Sequence, residues 1–355
     1  MSAQTLAPPQ GDAPITTHGA LPTWAPYAAA AACLAAALGL RELLGGGPVA
    51  TAIMAGLLFV VAVNLLSRSV EGHRRATDRT VTTVVSATFL IALVPLLSLI
   101  WTVVTRGIGR FDVDFFTETS RNVIGAGGGA QHAIFGTLVI TCLAALISIP
   151  VGLLTAIYLV EYGRGRLARW VTFLVDVMTG IPSIVAGLFA YALFVLVVGP
   201  GVRFGIGGAV ALSVLMTPVV VRSAEEMLKL VPAELREASY ALGVPKWRTI
   251  LKVVLPVAAA GIATGITLAV ARVIGETAPL LLIAGKTDSL NLDPFHGRME
   301  TLPIYTYYSF TQPGIPPEVG INRGWTAALV LMIIVLGLNL GARLVAKVFA
   351  PKGAR

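Results

Sequence analysis

Apolar runs of about twenty residues recur along this 355-residue chain, and that recurrence restricts its architecture more than any motif does. A helix of about twenty apolar residues is long enough to cross the hydrocarbon layer of a bilayer. Eight such spans are predicted, at 25–44, 47–67, 81–104, 133–159, 168–198, 207–223, 250–275 and 325–348. The balance of residues agrees: 56% are hydrophobic and 12% charged, about half the charged share of an ordinary soluble domain. The expected fold is all-α, a polytopic helical membrane protein.

The net charge of +8 does not argue for a nucleic-acid partner. Its cations form no stripe with interleaved aromatics and sit in short segments between apolar runs, where lipid headgroups and membrane topology account for them. Cys33 and Cys142 fall inside apolar runs and are expected to pack, not to form a disulfide or a metal-thiolate site. His18, His73, His132 and His296 are scattered over tail and loops and form no ligand set, so no metal is expected. Residues 1–24, proline-rich and without Lys or Arg, read as a disordered tail.

With the N-terminus in the cytoplasm, 17 of the 26 Lys and Arg fall inside, 8 outside, and Arg272 within a span. The positive-inside rule favours that orientation, with the C-terminal tail 351–355 also cytoplasmic. Two longer segments, 105–132 and 284–324, then face outward, as partner surfaces or as flexible connectors. The run 168–198 exceeds one upright crossing and contains Gly180-Ile181-Pro182-Ser183, which predicts a kink or a broken helix. Ser183 is a candidate hydroxyl donor there, although kinking alone would explain the segment. Gly261-x3-Gly265 and Gly337-x3-Gly341 permit close helix contact. The chain divides into an N-terminal helix pair, 25–67, a polar linker, 68–80, and a core, 81–350.

One stretch of the core leaves the membrane. Residues 232–256 begin at Pro232, place Glu234 and Glu237 in the first turns, and set Leu235, Ala238 and Leu242 on one face. Gly243 stops this helix and Pro245 starts another, so the segment is expected to form a compact cytoplasmic knob. The order Glu237-Ala238-Ser239, Gly243, Val253-Val254-Leu255-Pro256 resembles the EAA loop of ABC-importer permeases, with Ser239 for the second alanine and Val253 for isoleucine. The resemblance implies that Glu237, Ala238, Gly243, Leu255 and Pro256 shape a coupling helix seated in a separate ATPase, the alternative being an amphipathic helix on headgroups. Ala284-Gly285-Lys286-Thr287 is no phosphate loop, because Leu280 stands where glycine is required. ATP and Mg are therefore expected on a partner, with no cofactor on this chain.

Charge inside a span costs about 2.5–3.5 kcal/mol on insertion scales and asks for a reason. Arg272 and Glu276, four apart near the outer part of the seventh span, share a helix face, and Arg222 ends the sixth span with Glu225 and Glu226 beyond it. Arginines suit a tetrahedral oxyanion, with Glu276 holding Arg272 in place; a structural ion pair and an interfacial Arg222 is the other reading.

The segments "AIFGTLVIT", "YLVEYG", "GIPSIVAGLF", "TPVVVRSAEEML" and "ARVIGETAPLL" resemble the phosphate-specific permease subunits of the PstA family over residues 81–350. That resemblance implies a six-helix permease core carrying two extra N-terminal transmembrane helices, in a bacterial cell membrane. It implies phosphate passage by Arg222 and Arg272 with Glu276, a PstC-like partner permease, a PstB-like ATPase dimer and an external PstS-like phosphate-binding protein. Another oxyanion (molybdate, sulfate or phosphonate) is the rival within transport. An intramembrane hydrolase lacks its residue set, since Asp176 is the only Asp within a span, and a passive channel has little use for the knob.

Overall fold

A computed structural model describes residues 19–45 and 47–349, all helix, turn or loop. The helices run in order α1 (Ala25–Leu44), α2 (Pro48–Val70), α3 (His73–Gly107), α4 (Val113–Thr117), α5 (Gln131–Ile157), α6 (Gly165–Thr179), α7 (Ser183–Val198), α8 (Gly205–Lys229), α9 (Ala233–Ala241), α10 (Lys246–Thr249), α11 (Leu255–Val273), α12 (Ala278–Ile283), α13 (Leu302–Thr311) and α14 (Pro317–Phe349). Among the described residues, six stretches are long and apolar enough to cross a membrane, and α6 with α7 makes a seventh if that bent pair is one span. α1, the first expected span, forms a helix over Ala25–Leu44 and is not among these.

The chain separates into two compact units, one up to Ile100 and one from Trp101. In the first, the expected linker 68–80 is helical except at Glu71 and Gly72, so the joint between α2 and α3 is two residues long. Gly72 takes a φ of 84°, in the left-handed region that glycine enters without strain. Glu71 organises the joint, accepting from Leu21 N–H and Ser67 Oγ at 2.8 Å each and lying 2.6 Å from Arg79. The Arg79 hydrogen bond, ahead of all other causes, lowers its pKa to about 2. Most of the tail 1–24, and all of 351–355, lie outside the described residues.

In the second unit, contacts fix the direction of each helix. Ser148 Oγ donates to Ser213 O at 3.3 Å, Ile140 lies against Gly208, and Gly152 against Val220, so α5 and α8 run parallel. Two parallel crossings require a return between them, which only α6 and α7 can supply; the bent pair is therefore one broken crossing. Its 109° bend falls at Gly180–Pro182, where proline pushes the preceding residue out of helical geometry. α11 runs antiparallel to α8, with Gly261 against Met227 and Gly265 against Ser223 so closely that a side-chain carbon at either would collide. Gly337 and Gly341 meet no such neighbour among the described residues. Ile140, Leu212, Met216, Val220, Val273, Leu280, Met299 and Ile304 fill the core between these helices.

The two longer connecting segments are built structure. Asp112 caps α4 by accepting from Phe115 N–H at 2.9 Å, and Phe115 is fully buried. Leu302 N–H, at the start of α13, donates to Thr137 Oγ1 at 2.7 Å. These segments gather at one end of the unit, and the knob occupies the other.

Candidate functional site

The knob is two short helices set at an angle by a local stop signal. Gly243 takes a φ of 75° and donates to Tyr240 O at 2.9 Å, while Val244 N–H donates to Ser239 O at 3.2 Å. Pro245 then caps α10, its carbonyl accepting from Arg248 and Thr249 N–H. Ser239, the departure from the expected alanine, is buried and bonds Thr249 Oγ1 at 2.8 Å, pinning α9 to α10.

The residue that ties the knob to the crossing helices is Arg236. Its Nε donates to Glu161 Oε1 at 3.0 Å, Nη1 to Val231 O at 2.6 Å, and Nη2 to Leu228 O at 2.9 Å. One guanidinium thus clamps the end of α8, the start of the knob and the segment after α5, as its planar fork of donors allows. Lys246 adds a bond from Nζ to Glu161 O and lies 4.7 Å from the centre of the Tyr162 ring. The clamped segment Tyr158–Tyr162, and Ile250–Val254 between the knob and α11, are wide π-helical turns, a geometry often found at working sites. Sequence reading missed the anchoring role of Arg236 and Glu161; a glutamate within "YLVEYG", next to a membrane span, was the available signal.

The outward face of the knob is open. Glu237, Ala238 and Gly243 are exposed, and so are Leu235, Tyr240, Leu242 and Trp247, Leu242 at 83%. Leu255 is half-buried and Pro256 exposed at the first turn of α11, where Val254 is the fully buried anchor.

The three charged residues expected along the pathway are not brought together. Arg222, on α8, donates from Nη1 to Glu225 Oε2 at 2.8 Å and from Nη2 to Asp176 Oδ1 on α6; Glu225 also accepts from Lys229 Nζ at 2.7 Å. Arg272 is exposed, and among the described residues its side chain has no hydrogen-bond or ion-pair partner. It does not pair with Glu276, contrary to the expected shared face. α11 ends at Val273, because Pro279 opens α12 and the intervening Ile274–Thr277 must turn; Glu276 N–H closes that turn onto Val273 O at 3.1 Å. Ser183 lies in the first turn of α7, half-buried.

At the end opposite the knob a polar cluster is buried. His132, expected in a loop, sits in the first turn of α5 at 2% exposure, its Nε2 3.6 Å from Glu300 Oε2. That oxygen accepts from Thr287 N–H at 3.1 Å, while Glu300 Oε1 has no partner among the described residues. Burial raises the Glu300 pKa, outweighing the opposing effect of His132. The described residues contain no group of three or more His, Cys, Asp or Glu able to hold a metal.

This arrangement of crossing helices with a clamped, open-faced knob is that of a multi-pass membrane protein, and its class follows from the proteins it matches. Residues 148–354 match the family model described as binding-protein-dependent transport system inner membrane component. Over 276 residues the chain is 48% identical to a protein of Mycobacterium tuberculosis (strain H37Rv) named phosphate transport system permease protein PstA 1, covering 77% of this chain and 88% of that one. A Yersinia pestis protein named phosphate transport system permease protein PstA is 39% identical over 287 residues, 80% and 94% of the two chains. In fold, the chain is similar to one from a bacterial alginate ABC transporter (TM-score 0.52, 15% identity, 76% and 96% covered) and to one from the MetNI methionine ABC transporter in inward-facing conformations (TM-score 0.51, 20% identity, 62% and 96% covered). The chain belongs to the binding-protein-dependent inner membrane components and, within them, to the PstA family.

Proposed function

We propose that this chain is the PstA-type half of a heterodimeric permease that brings inorganic phosphate into the cytoplasm at the expense of ATP hydrolysed by a separate subunit. The observation that carries the reading is the knob. It is held rigidly from behind by Arg236 and presents an apolar, partnerless face in front. A PstB-like ATPase dimer, carrying ATP and Mg, would receive that face and make the knob's end and both termini cytoplasmic; no cofactor is needed on this chain. A PstC-like permease would complete the pathway, and a PstS-like binding protein would deliver phosphate at the opposite end. The relatives' names, which specify phosphate, support phosphate over molybdate, sulfate or phosphonate.

Motion of the knob reaches the bilayer through two routes: Val254 into α11, and Arg236 with Glu161 into α8 and α5. A stiff connection passes a displacement on, whereas a loose loop would absorb it. Within the span, Arg272 is free to bind an oxyanion at once. Arg222 can do so only by exchanging Asp176 or Glu225 for the passing anion, which ties its availability to the relative position of α6 and α8. Among the described residues the Glu276 side chain has no hydrogen-bond or ion-pair partner, and its role in this scheme is to face the pathway just beyond the end of α11.

The test is uptake of radiolabelled phosphate by proteoliposomes containing the assembled complex. ATP-dependent phosphate accumulation is the expected result; accumulation of sulfate or molybdate alone, or phosphate flux without ATP, rejects the proposal.

A further inference from the structure

A cavity of about 200 Å3 lies beside Glu300, at the end of the second unit away from the knob. Its wall combines two cations from distant parts of the chain, Lys286 and Arg323, with the hydroxyls of Ser120, Tyr305 and Ser309. Both cations are loosely engaged. Lys286 Nζ lies 5.2 Å from the centre of the Tyr308 ring and 3.9 Å from Asp288, and Arg323 makes one long bond, 3.5 Å, to Gly127 O. Most of the donors on that guanidinium and that ammonium are therefore available. The Ser120 and Tyr305 hydroxyls sit 3.2 Å apart on the same wall, with Ser120 Oγ donating to Gly129 O at 3.0 Å, so among the described residues it is the Ser309 hydroxyl that is left uncommitted.

Glu300 is a second and independent sign of a ligand. Its side chain is completely buried, yet Oε1 has no partner among the described residues. A buried polar oxygen in that condition is costly, and a group bound in the cavity it lines would remove the cost. Because burial favours its neutral form, this carboxyl can donate from the free oxygen to an anion without repelling it. Asp288, half exposed on the same wall, is the resident competitor for Lys286 and is replaced when an anion enters.

We propose that this cavity is an outer oxyanion subsite, in which inorganic phosphate rests between Lys286 and Arg323 before it reaches the arginines of the crossing helices. A tetrahedral oxyanion has four acceptor oxygens to share among the ammonium, the guanidinium, the Ser309 hydroxyl and the Glu300 carboxyl, and charged donors of this kind bind it most strongly. The subsite rests on the phosphate reading of the chain and adds a stop on its route.

Protection from labelling tests it in the complete assembly, in proteoliposomes without binding protein. Cys33 and Cys142 are replaced by alanine, Ser309→Cys is introduced, and the rate of its reaction with a water-soluble maleimide is followed. Inorganic phosphate is expected to slow the reaction, and chloride of equal ionic strength is not. Lys286→Gln and Arg323→Gln should each raise the half-protecting concentration about tenfold, the usual cost of losing one charge-assisted bond. Gln312→Cys, on the same wall, serves as the reporter if Ser309→Cys does not assemble. Absence of protection by phosphate, protection by sulfate in its place, or protection unchanged in the two variants overturns the subsite; so does protection by the binding protein alone, which would make the cavity a protein-docking pocket. ATP-driven phosphate uptake by the same vesicles once binding protein is added separates the two ideas. Uptake without protection removes the subsite only, and protection without uptake removes the transport reading.

Discussion

The two ends of the second unit treat polar groups in opposite ways. At the knob, Arg236 spends three nitrogens on Glu161 and two carbonyls, and Ser239 and Thr249 satisfy one another. At the other end lie all the buried side-chain nitrogens and oxygens that lack a hydrogen-bond partner among the described residues: Arg110 Nε, both nitrogens of His132, Glu300 Oε1, the hydroxyls of Thr301 and Thr306, and Trp325 Nε1. Satisfied networks stiffen a structure and unsatisfied ones invite a partner. The difference suits a part that must transmit force at one end and a part that must receive something at the other.

Arg236→Ala should break this comparison most severely. Removing one partner of a buried ion pair costs about 3–5 kcal/mol, because the other charge stays behind, and here Glu161 would remain with only 5% of its side chain exposed. The expected result is ATP hydrolysis that continues while phosphate uptake falls by about tenfold or more, one decade per 1.4 kcal/mol. The ratio of phosphate imported to ATP hydrolysed, with copurification as the check on assembly, measures it. An unchanged ratio would show that the clamp transmits nothing.

A graded series at Gly243 comes next. Left-handed geometry costs about 1–2 kcal/mol for most residues, and less for asparagine, so coupling should decline in the order Gly, Asn, Asp, Val. Asparagine performing as badly as valine would move the cause from backbone geometry to the loss of open space on the exposed face. Glu237→Lys leaves the backbone alone and should weaken ATPase docking without altering the melting temperature of the isolated chain.

The two arginines of the crossing helices sharpen the same distinction on a smaller scale. Arg222→Gln should lower both phosphate uptake and thermal stability, since Asp176 and Glu225 lose their shared cation. Arg272→Gln should lower uptake alone, because no described residue depends on it. Melting curves of the two purified variants decide; an equal loss of stability in both would make Arg272 a structural residue.

What could be read from the sequence follows the range of the forces involved. The knob was legible because its signals are local: Pro232 and Glu234 at a helix start, Gly243 at a stop, Pro245 at the next start. The break at Gly180–Pro182 was legible for the same reason. Arg236 with Glu161, and His132 with Glu300, join residues 75 and 168 positions apart (236 − 161 and 300 − 132), and no spacing rule reaches so far. The expected Arg272–Glu276 face failed for a local reason that had been available. Pro279 begins a new helix, and a helix approaching a proline usually ends before it. The polar linker 68–80 gave no sign of its conformation, because the apolar part of the long helix whose first turns are His73 to Thr80 comes only later.

The smallest effect, and the one that separates satisfied from unsatisfied groups most cleanly, is the response of two carboxyls to pH. Glu71, with an Arg79 bond and two other donors, has a folded pKa lowered from 4.5 to about 2. Its contribution to stability is present above pH 4.5 and is lost as the pH falls through that window towards 2. Glu300 has a folded pKa raised above 4.5 by burial, so the folded state holds its proton longer than the unfolded state does. Its charge therefore costs stability as the pH rises from 4.5 through the folded pKa, and acidification relieves that cost. Glu71→Gln should lower the melting temperature at neutral pH and flatten the acid limb below pH 4.5. Glu300→Gln should raise the melting temperature at neutral pH or leave it unchanged, and remove a decline on the alkaline side. Hydrogen exchange at Leu21 and Thr287, whose amides donate to the two carboxylates, assigns each limb to its end of the chain. If both amides loosened together on acidification, Glu300 would be a paired group like Glu71, and the receiving end would lose its mark as the place where a buried carboxyl is left unsatisfied.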